Sequence, residues 1–220
     1  MPTTSPAPPK LSPLPDAVTR RDLAAEEEWS GELVTGADLS GVIAEHSRII
    51  GCELRDVRLT SAELHRCVLT DVRLVDCELS GAILTESLWR RVELQNCRMS
   101  GLVVTQSRLR DVRFTHGKID GGNFRLAQLE RVTFDACAMP DSDLYEAELT
   151  HVLFDACDLR RAHFSSVKTD ELRLCASDLE GLRGATGLRG ASVSPEQVMP
   201  LALSLFGELD ITIELEEPPA

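Results

Sequence analysis

From Leu39 to Leu179 the chain repeats every five residues, and no other feature restricts its fold as strongly. Of the 29 positions reached by steps of five, 16 are Leu, five Phe, two Ile, two Met, one Val and one Trp. Only Ala44 and Thr169 depart from the large apolar type. Two residues before each position stand eight Val, six Ala, six Cys, five Ser, two Gly and two Leu, so 27 of these 29 are small or β-branched. A helix repeats at about 3.6 residues and a strand at about 2, so neither explains a period of five. A chain that turns a corner every five residues does. Each straight segment then sends one large and one small side chain inward. Four segments close a square coil of 20 residues, and stacked coils pair backbone groups about 4.8 Å apart, as neighbouring strands do. So narrow an interior fills to native density only if large and small groups alternate.

Positions 20 apart should therefore stack, and like falls on like. Val72, Val92, Val112, Val132 and Val152 make one column; Phe114, Phe134 and Phe154 sit together in another. Cys77 meets Cys97, and Cys137 meets Cys157. Outward columns alternate in sign, as in Glu53, Arg73, Glu93 and Arg113. An exposed ladder favours that order at about 0.2–1 kcal/mol per pair. Segments such as Ala37-Asp38-Leu39-Ser40-Gly41 and Ala147-Glu148-Leu149-Thr150-His151 resemble the A-(D/N)-L-x-x motif of the pentapeptide-repeat family. The resemblance covers residues 36–183. It implies an all-β solenoid, a right-handed quadrilateral β-helix, of about seven coils.

The two ends differ from the repeat. Residues 1–16 hold Pro2, Pro6, Pro8, Pro9, Pro13 and Pro15, which read as a disordered or extended tail. Residues 17–35 are expected to cap the first coil, because a bare solenoid end exposes apolar core and unpaired edges. Residues 184–220 form the other end. Ser194-Pro195-Glu196-Gln197 is a helix start, with a Ser cap, Pro at the first position and Gln three residues on. Gly207 is the expected stop, and Pro200 a local blemish. Alternation of Leu209, Ile211, Ile213 and Leu215 with polar residues then predicts a strand. This capping helix and strand carry more apolar surface than one coil end can cover. The segment either only caps the rod or also joins a second copy; the expectation is a homodimer through residues 194–215, with Leu201, Leu205, Phe206, Ile211 and Ile213 at the contact. Family members that protect DNA gyrase dimerise through this end, and the resemblance implies the same here.

Composition narrows the chemistry. The net charge of −13 argues against nucleic acid as a direct partner. No apolar run is long enough to span a bilayer, and the N-terminus lacks a signal-peptide pattern, so a cytoplasmic setting is expected. Six of the seven cysteines fall in the small inward slot and read as inert core thiols; Cys175 does not. No Cys/His spacing suits zinc, no phosphate loop is present, and His65, His116, His151 and His163 fall on outward positions. No catalytic residue, metal site or cofactor is expected, and the chain reads as no enzyme.

The acid is concentrated at one end. Residues 1–129 carry 18 acidic and 16 basic side chains, whereas residues 130–220 carry 18 and 7. In the register Asp135 stacks with Asp155, and Asp158 with Asp178. Like charges on neighbouring coils cost stability, which marks these four as candidate partner-binding residues. The function expected is a protein-interaction scaffold whose partner the sequence does not identify. The alternative is a DNA mimic that binds DNA gyrase or a related type II topoisomerase, an activity known among the family members this chain resembles.

Overall fold

The structure is a computed structural model that describes residues 5–18 and 22–212. Parallel pairing at a constant offset of 20 residues builds a four-sided solenoid of about eight turns. Two adjacent sides are strands. They run as β1 (Glu28–Ser30), β2 (Leu33–Thr35), β3 (Arg48–Ile50) and β4 (Glu53–Arg55). Next come the two-sided strands β5 (Val68–Val75), β6 (Leu88–Gln95), β7 (Arg108–Thr115) and β8 (Gln128–Asp135). The sides separate again in β9 (Glu148–Thr150), β10 (Leu153–Asp155), β11 (Lys168–Asp170) and β12 (Arg173–Cys175). The other two sides are too short for strands and show single bridges, Asp38↔Arg58↔Glu78 on one and Ile43↔Glu63↔Ile83 on the next.

The corner is a left-handed residue two places after each large inward one. Gly41, Gly81, Gly101 and Gly121 hold it without a Cβ penalty, but so do Asp56, Asp76, Asn96 and His116 at φ of 51–54°. Such a residue costs about 1–2 kcal/mol when it is not glycine. The next coil offsets this, because each corner N–H reaches a carbonyl 19 residues on: Asp76 to Gln95 (3.0 Å), Asn96 to Thr115 (3.0 Å) and His116 to Asp135 (2.9 Å). Stacking thus stabilises a bend that an isolated pentapeptide lacks the contacts to hold.

Inside, the large/small code is obeyed. The inward Leu and Phe centres are buried, as are all six slot cysteines, while Cys175 is half-buried. Phe114, Phe134 and Phe154 stack nearly parallel, with centroids 4.7 and 4.8 Å apart. Polar residues enter the small slot by one recurring bond. The Cys77, Ser107, Ser142 and Cys157 side chains each donate to the carbonyl 23 residues earlier, at Leu54, Leu84, Ile119 and Phe134.

The solenoid begins earlier than the regular motif. Trp29 and Val34 are buried at centre positions, and β1 and β2 pair with β3 and β4, so residues 28–35 form coil rather than a separate cap. That supplies the turn beyond the seven expected. Before it, Leu23 is buried against the end of the core. Residues 5–18 run back along the rod: Val18 pairs with Val34, the Lys10 N–H donates to Asp71 (2.8 Å) and the Ala7 N–H to Asp111 (3.2 Å). The Pro-rich segment is therefore extended on the solenoid over these residues.

At the far end β13 (Ser192–Val193) pairs with β12, and α1 (Val198–Glu208) follows. The Ser194–Gln197 capping box is formed, with the Ser194 N–H donating to Gln197 Oε1 (2.7 Å). Gln197 is buried and its amide donates to the Ser177 carbonyl (2.8 Å), tying the helix start to the last coil. Pro200 lies in the first turn of α1, where its missing N–H has no intrahelical partner to lose. Gly207 does not stop the helix. Asp210 does, at φ 55°, with the Ile211 N–H closing on the Phe206 carbonyl (2.8 Å), the long bond of a Schellman ending. The strand expected from Leu209 is absent over residues 209–212, because this ending turns the chain there. Ile213 and Leu215 lie outside the described residues.

Candidate functional site

The outward side chains form ladders along the rod, and most are occupied with one another. On one corner Arg66 pairs with Glu86, and on another Arg161 holds Asp141 with both nitrogens of its fork. Lys168 meets Glu148, and Arg125 meets Asp143. Three further arginines on the rod have partners: Arg91 pairs with Asp71, Arg110 with Glu130, and Arg131 with Asp111 and Glu130. With these carboxylates they form a mixed-charge surface.

The four candidate partner-binding carboxylates divide into two kinds. Asp135 and Asp155 are adjacent Cα partners on β8 and β10, and neither makes an ion pair among the described residues. Asp158 and Asp178 also stack, on a single-bridge side, but Arg160 lies between them, 2.6 Å from Asp158 and 3.7 Å from Asp178. The Arg160 fork and the Arg160 N–H hold the Asp158 carboxyl below the usual carboxylate range. Register alone placed all four as like-charge pairs; the arginine two residues after Asp158 compensates one pair.

The cap presents two faces. Leu201 and Leu205 are half-buried and pack against the core. Phe206 is half-buried, Ile211 is exposed, and Ile213 lies outside the described residues. On α1 Met199 and Leu203 share an exposed side, Val198 is exposed at the helix start, and Leu209 and Ile211 are exposed beyond the helix. Sequence spacing showed both apolar sets, but which one faces the rod depends on how Gln197 docks the helix. Glu208 fixes the other end of α1, accepting from the Ala185 N–H (2.7 Å) and the Thr186 N–H (3.1 Å). Burial works against its ionisation, but these donors outweigh it and its carboxyl lies below the usual range.

The six slot thiols are buried in the core. Burial pushes Cys67 up to about 12. Hydrogen bonding to the neighbouring thiol, together with burial, pushes Cys97 and Cys157 up as well. Among the described residues no group of three or more His, Cys, Asp or Glu is placed to hold a metal ion. None of their helices is long and apolar enough to cross a membrane.

Sequence reasoning missed one ladder, Asp71–Arg91–Asp111–Arg131, which lies under residues 5–10. Its sign alternation at 20 residues was available in the sequence. That a tail covers it was not.

The family profile described as "Pentapeptide repeat region" matches residues 67–144 and 107–183, and that described as "Pentapeptide repeats (8 copies)" matches residues 35–71. No curated protein sequence matches the chain. HetL, a pentapeptide repeat protein involved in heterocyst differentiation regulation from the cyanobacterium Nostoc sp. strain PCC 7120, is similar in structure. Its TM-score is 0.56 at 17% identity, over 80% of this chain and 86% of that one. QnrB1, a plasmid-mediated fluoroquinolone resistance protein, in a trypsin-treated form, gives 0.46 at 20% identity over 90% and 95% of the two chains. Rfr23 from the cyanobacterium Cyanothece 51142 gives 0.38 at 16% identity over 47% and 87%. At these identities the likeness concerns the fold.

Proposed function

The chain belongs to the pentapeptide-repeat family, and from that premise we propose that it is a non-enzymatic scaffold, a rigid rod whose exterior binds other protein. One observation carries this reading. Of nine large hydrophobic side chains exposed among the described residues, five fall within residues 198–211. The others, Val18, Ile43, Leu88 and Leu126, are scattered. A cluster of exposed apolar side chains on one terminal element favours an interaction surface, whereas apolar residues exposed singly do not. The occupant we assign to this face is a second copy of the chain, in a two-fold pair. Light scattering at tens of micromolar tests it; a monomer there defeats the pairing.

The second reading, a DNA mimic acting on gyrase or a related topoisomerase, is favoured by Asp135 and Asp155. Two stacked carboxylates with no ion pair among the described residues project a field that a basic groove neutralises. Self-pairing of Asp158 and Asp178 with Arg160 reduces that field. A supercoiling assay with purified gyrase, with and without a quinolone, separates the readings. Protection that weakens with salt and is lost in Asp135→Lys/Asp155→Lys supports mimicry. No effect on gyrase leaves the scaffold reading alone.

A further inference from the structure

The corner ladder Asp71–Arg91–Asp111–Arg131 is shielded in a way its counterparts are not. The Asp71 and Arg91 side chains are 13% and 12% exposed, and Asp111 and Arg131 are 11% and 21%. The equivalent pair Arg66–Glu86 on another corner is 52% and 49% exposed, and Arg161–Asp141 is 58% and 53%. All are corner residues with the same chemistry and the same offset of 20. What differs is residues 5–10, which lie over the first ladder with Pro6 buried. Further along the same column, Glu171 is 60% exposed.

The contact has a register. Asp111 gives both oxygens to the Arg131 fork, at 2.7 and 2.9 Å, and Asp71 does the same for Arg91. A carboxylate oxygen has a second lone pair, and there the backbone N–H groups of Ala7 and Lys10 are accepted. Asp71 and Asp111 are two coils apart, about 9.6 Å at the usual strand spacing. Ala7 and Lys10 are three residues apart, about 9.3 Å in polyproline II, whose turn is three residues. Pro6, Pro8 and Pro9 favour that conformation and carry no N–H. Within residues 6–10 the only two backbone donors are the two the rod accepts. Toward the N-terminal end of the rod the column continues as Gly51 and Gly31, with no carboxylate to extend the pattern.

We infer that the groove over Asp71, Arg91, Asp111 and Arg131 is a docking site for a proline-rich segment in polyproline II conformation. Residues 5–10 are its resident occupant, displaceable by a partner's segment that presents two N–H groups three residues apart. The recognition is of backbone donors and conformation, so it is indifferent to most side chains outside the prolines. Tethering keeps the resident segment in place by raising its effective concentration, and a partner with additional contacts on the rod overcomes that advantage. This deepens the scaffold reading by naming one class of partner.

The test is fluorescence anisotropy with a labelled peptide of residues 1–16, titrated into the full chain. Ala7→Pro with Lys10→Pro removes both N–H donors and keeps the polyproline conformation, so this variant's own segment no longer competes. We expect the peptide to bind it at least tenfold more tightly than it binds the wild type. The same peptide carrying the two prolines should bind neither chain. Asp111→Ala, added to the variant, should weaken binding of the natural peptide at least tenfold, with a melting curve to confirm that the rod is folded. Equal binding of the natural and the proline-substituted peptides overturns the proposal, as does binding of the natural peptide to neither chain. Either failure leaves the C-terminal pairing of the scaffold reading standing, because light scattering reads a different surface.

Discussion

Phe134 stacks on Phe154 with centroids 4.8 Å apart and planes within 3° of parallel, and on its other side Phe114 lies at 4.7 Å. The spacing is that of the coils themselves, so the rings inherit their geometry from backbone pairing of β8 with β7 and β10. Phe124 meets the same column edge-on, at 5.8 Å from Phe134. Hydrogen bonds above and below hold the coils apart, so the walls have little freedom to close on a void. Phe134→Ala should cost about 3–5 kcal/mol in a denaturant titration. Ile43→Ala, at a side chain 66% exposed on a bridge position, should stay within about 0.5 kcal/mol. Equal losses would contradict the inward and outward assignment.

Two serines in the same slot should respond in opposite directions. Ser87 donates to the Leu84 carbonyl (2.7 Å) and accepts from Trp89 Nε1 (2.9 Å), both buried. Ser87→Ala leaves the indole N–H without its acceptor and should cost about 1–3 kcal/mol. Ser47 is buried too, but its hydroxyl has no partner among the described residues. The carbonyl 23 residues earlier belongs to Ala24, which lies before the first coil and accepts from Glu27 in a local turn. Ser47→Ala should leave stability unchanged or raise it by about 1 kcal/mol. Thermal melts of the two variants, compared with the wild type, decide this.

Much of the rod was legible in the sequence because a period of five repeated over 29 positions averages out local exceptions. Thr169, a polar centre, is accommodated by donating to the Arg189 carbonyl (2.7 Å) at the end of the last coil. The ends were less legible because each depends on a single docking event. Trp29 and Val34 belong to a coil although their neighbours do not spell the motif, and Leu201 and Leu205 face inward because Gln197 is anchored at Ser177. The groove under residues 5–10 was hidden for a related reason. Proline content signals extension, but the acceptor for Ala7 lies 104 residues away.

Glu208 predicts a local acid transition. Its folded carboxyl lies below the usual range, so the stability it contributes is complete above the unfolded value, about 4.3, and is lost as pH falls through the lower folded value. Protonation removes the charge that Ala185 and Thr186 bond. Residues 198–208 should therefore lose hydrogen-exchange protection below about pH 4, before the coils do. Glu208→Gln should show the same loss at neutral pH. Protection that is indifferent to both changes would remove Glu208 as the anchor of α1.

The two faces of α1 give the last prediction. Met199 and Leu203 are 67% and 51% exposed, while Leu201 and Leu205 pack on the core; at 3.6 residues per turn, residues two apart lie about 200° around the helix. Substitutions on the two faces should therefore separate assembly from folding. Met199→Glu with Leu203→Glu places charge on side chains that are already exposed, and should give a monomer with an unchanged melting temperature. Leu205→Glu places a charge against the end of the core and should lower the melting temperature by several degrees. Light scattering and thermal melting, run on both variants, read the two effects independently. If Leu205→Glu dissociates the pair without destabilising the rod, the assignment of faces is reversed, and α1 contacts its partner through the residues that the sequence alone selects.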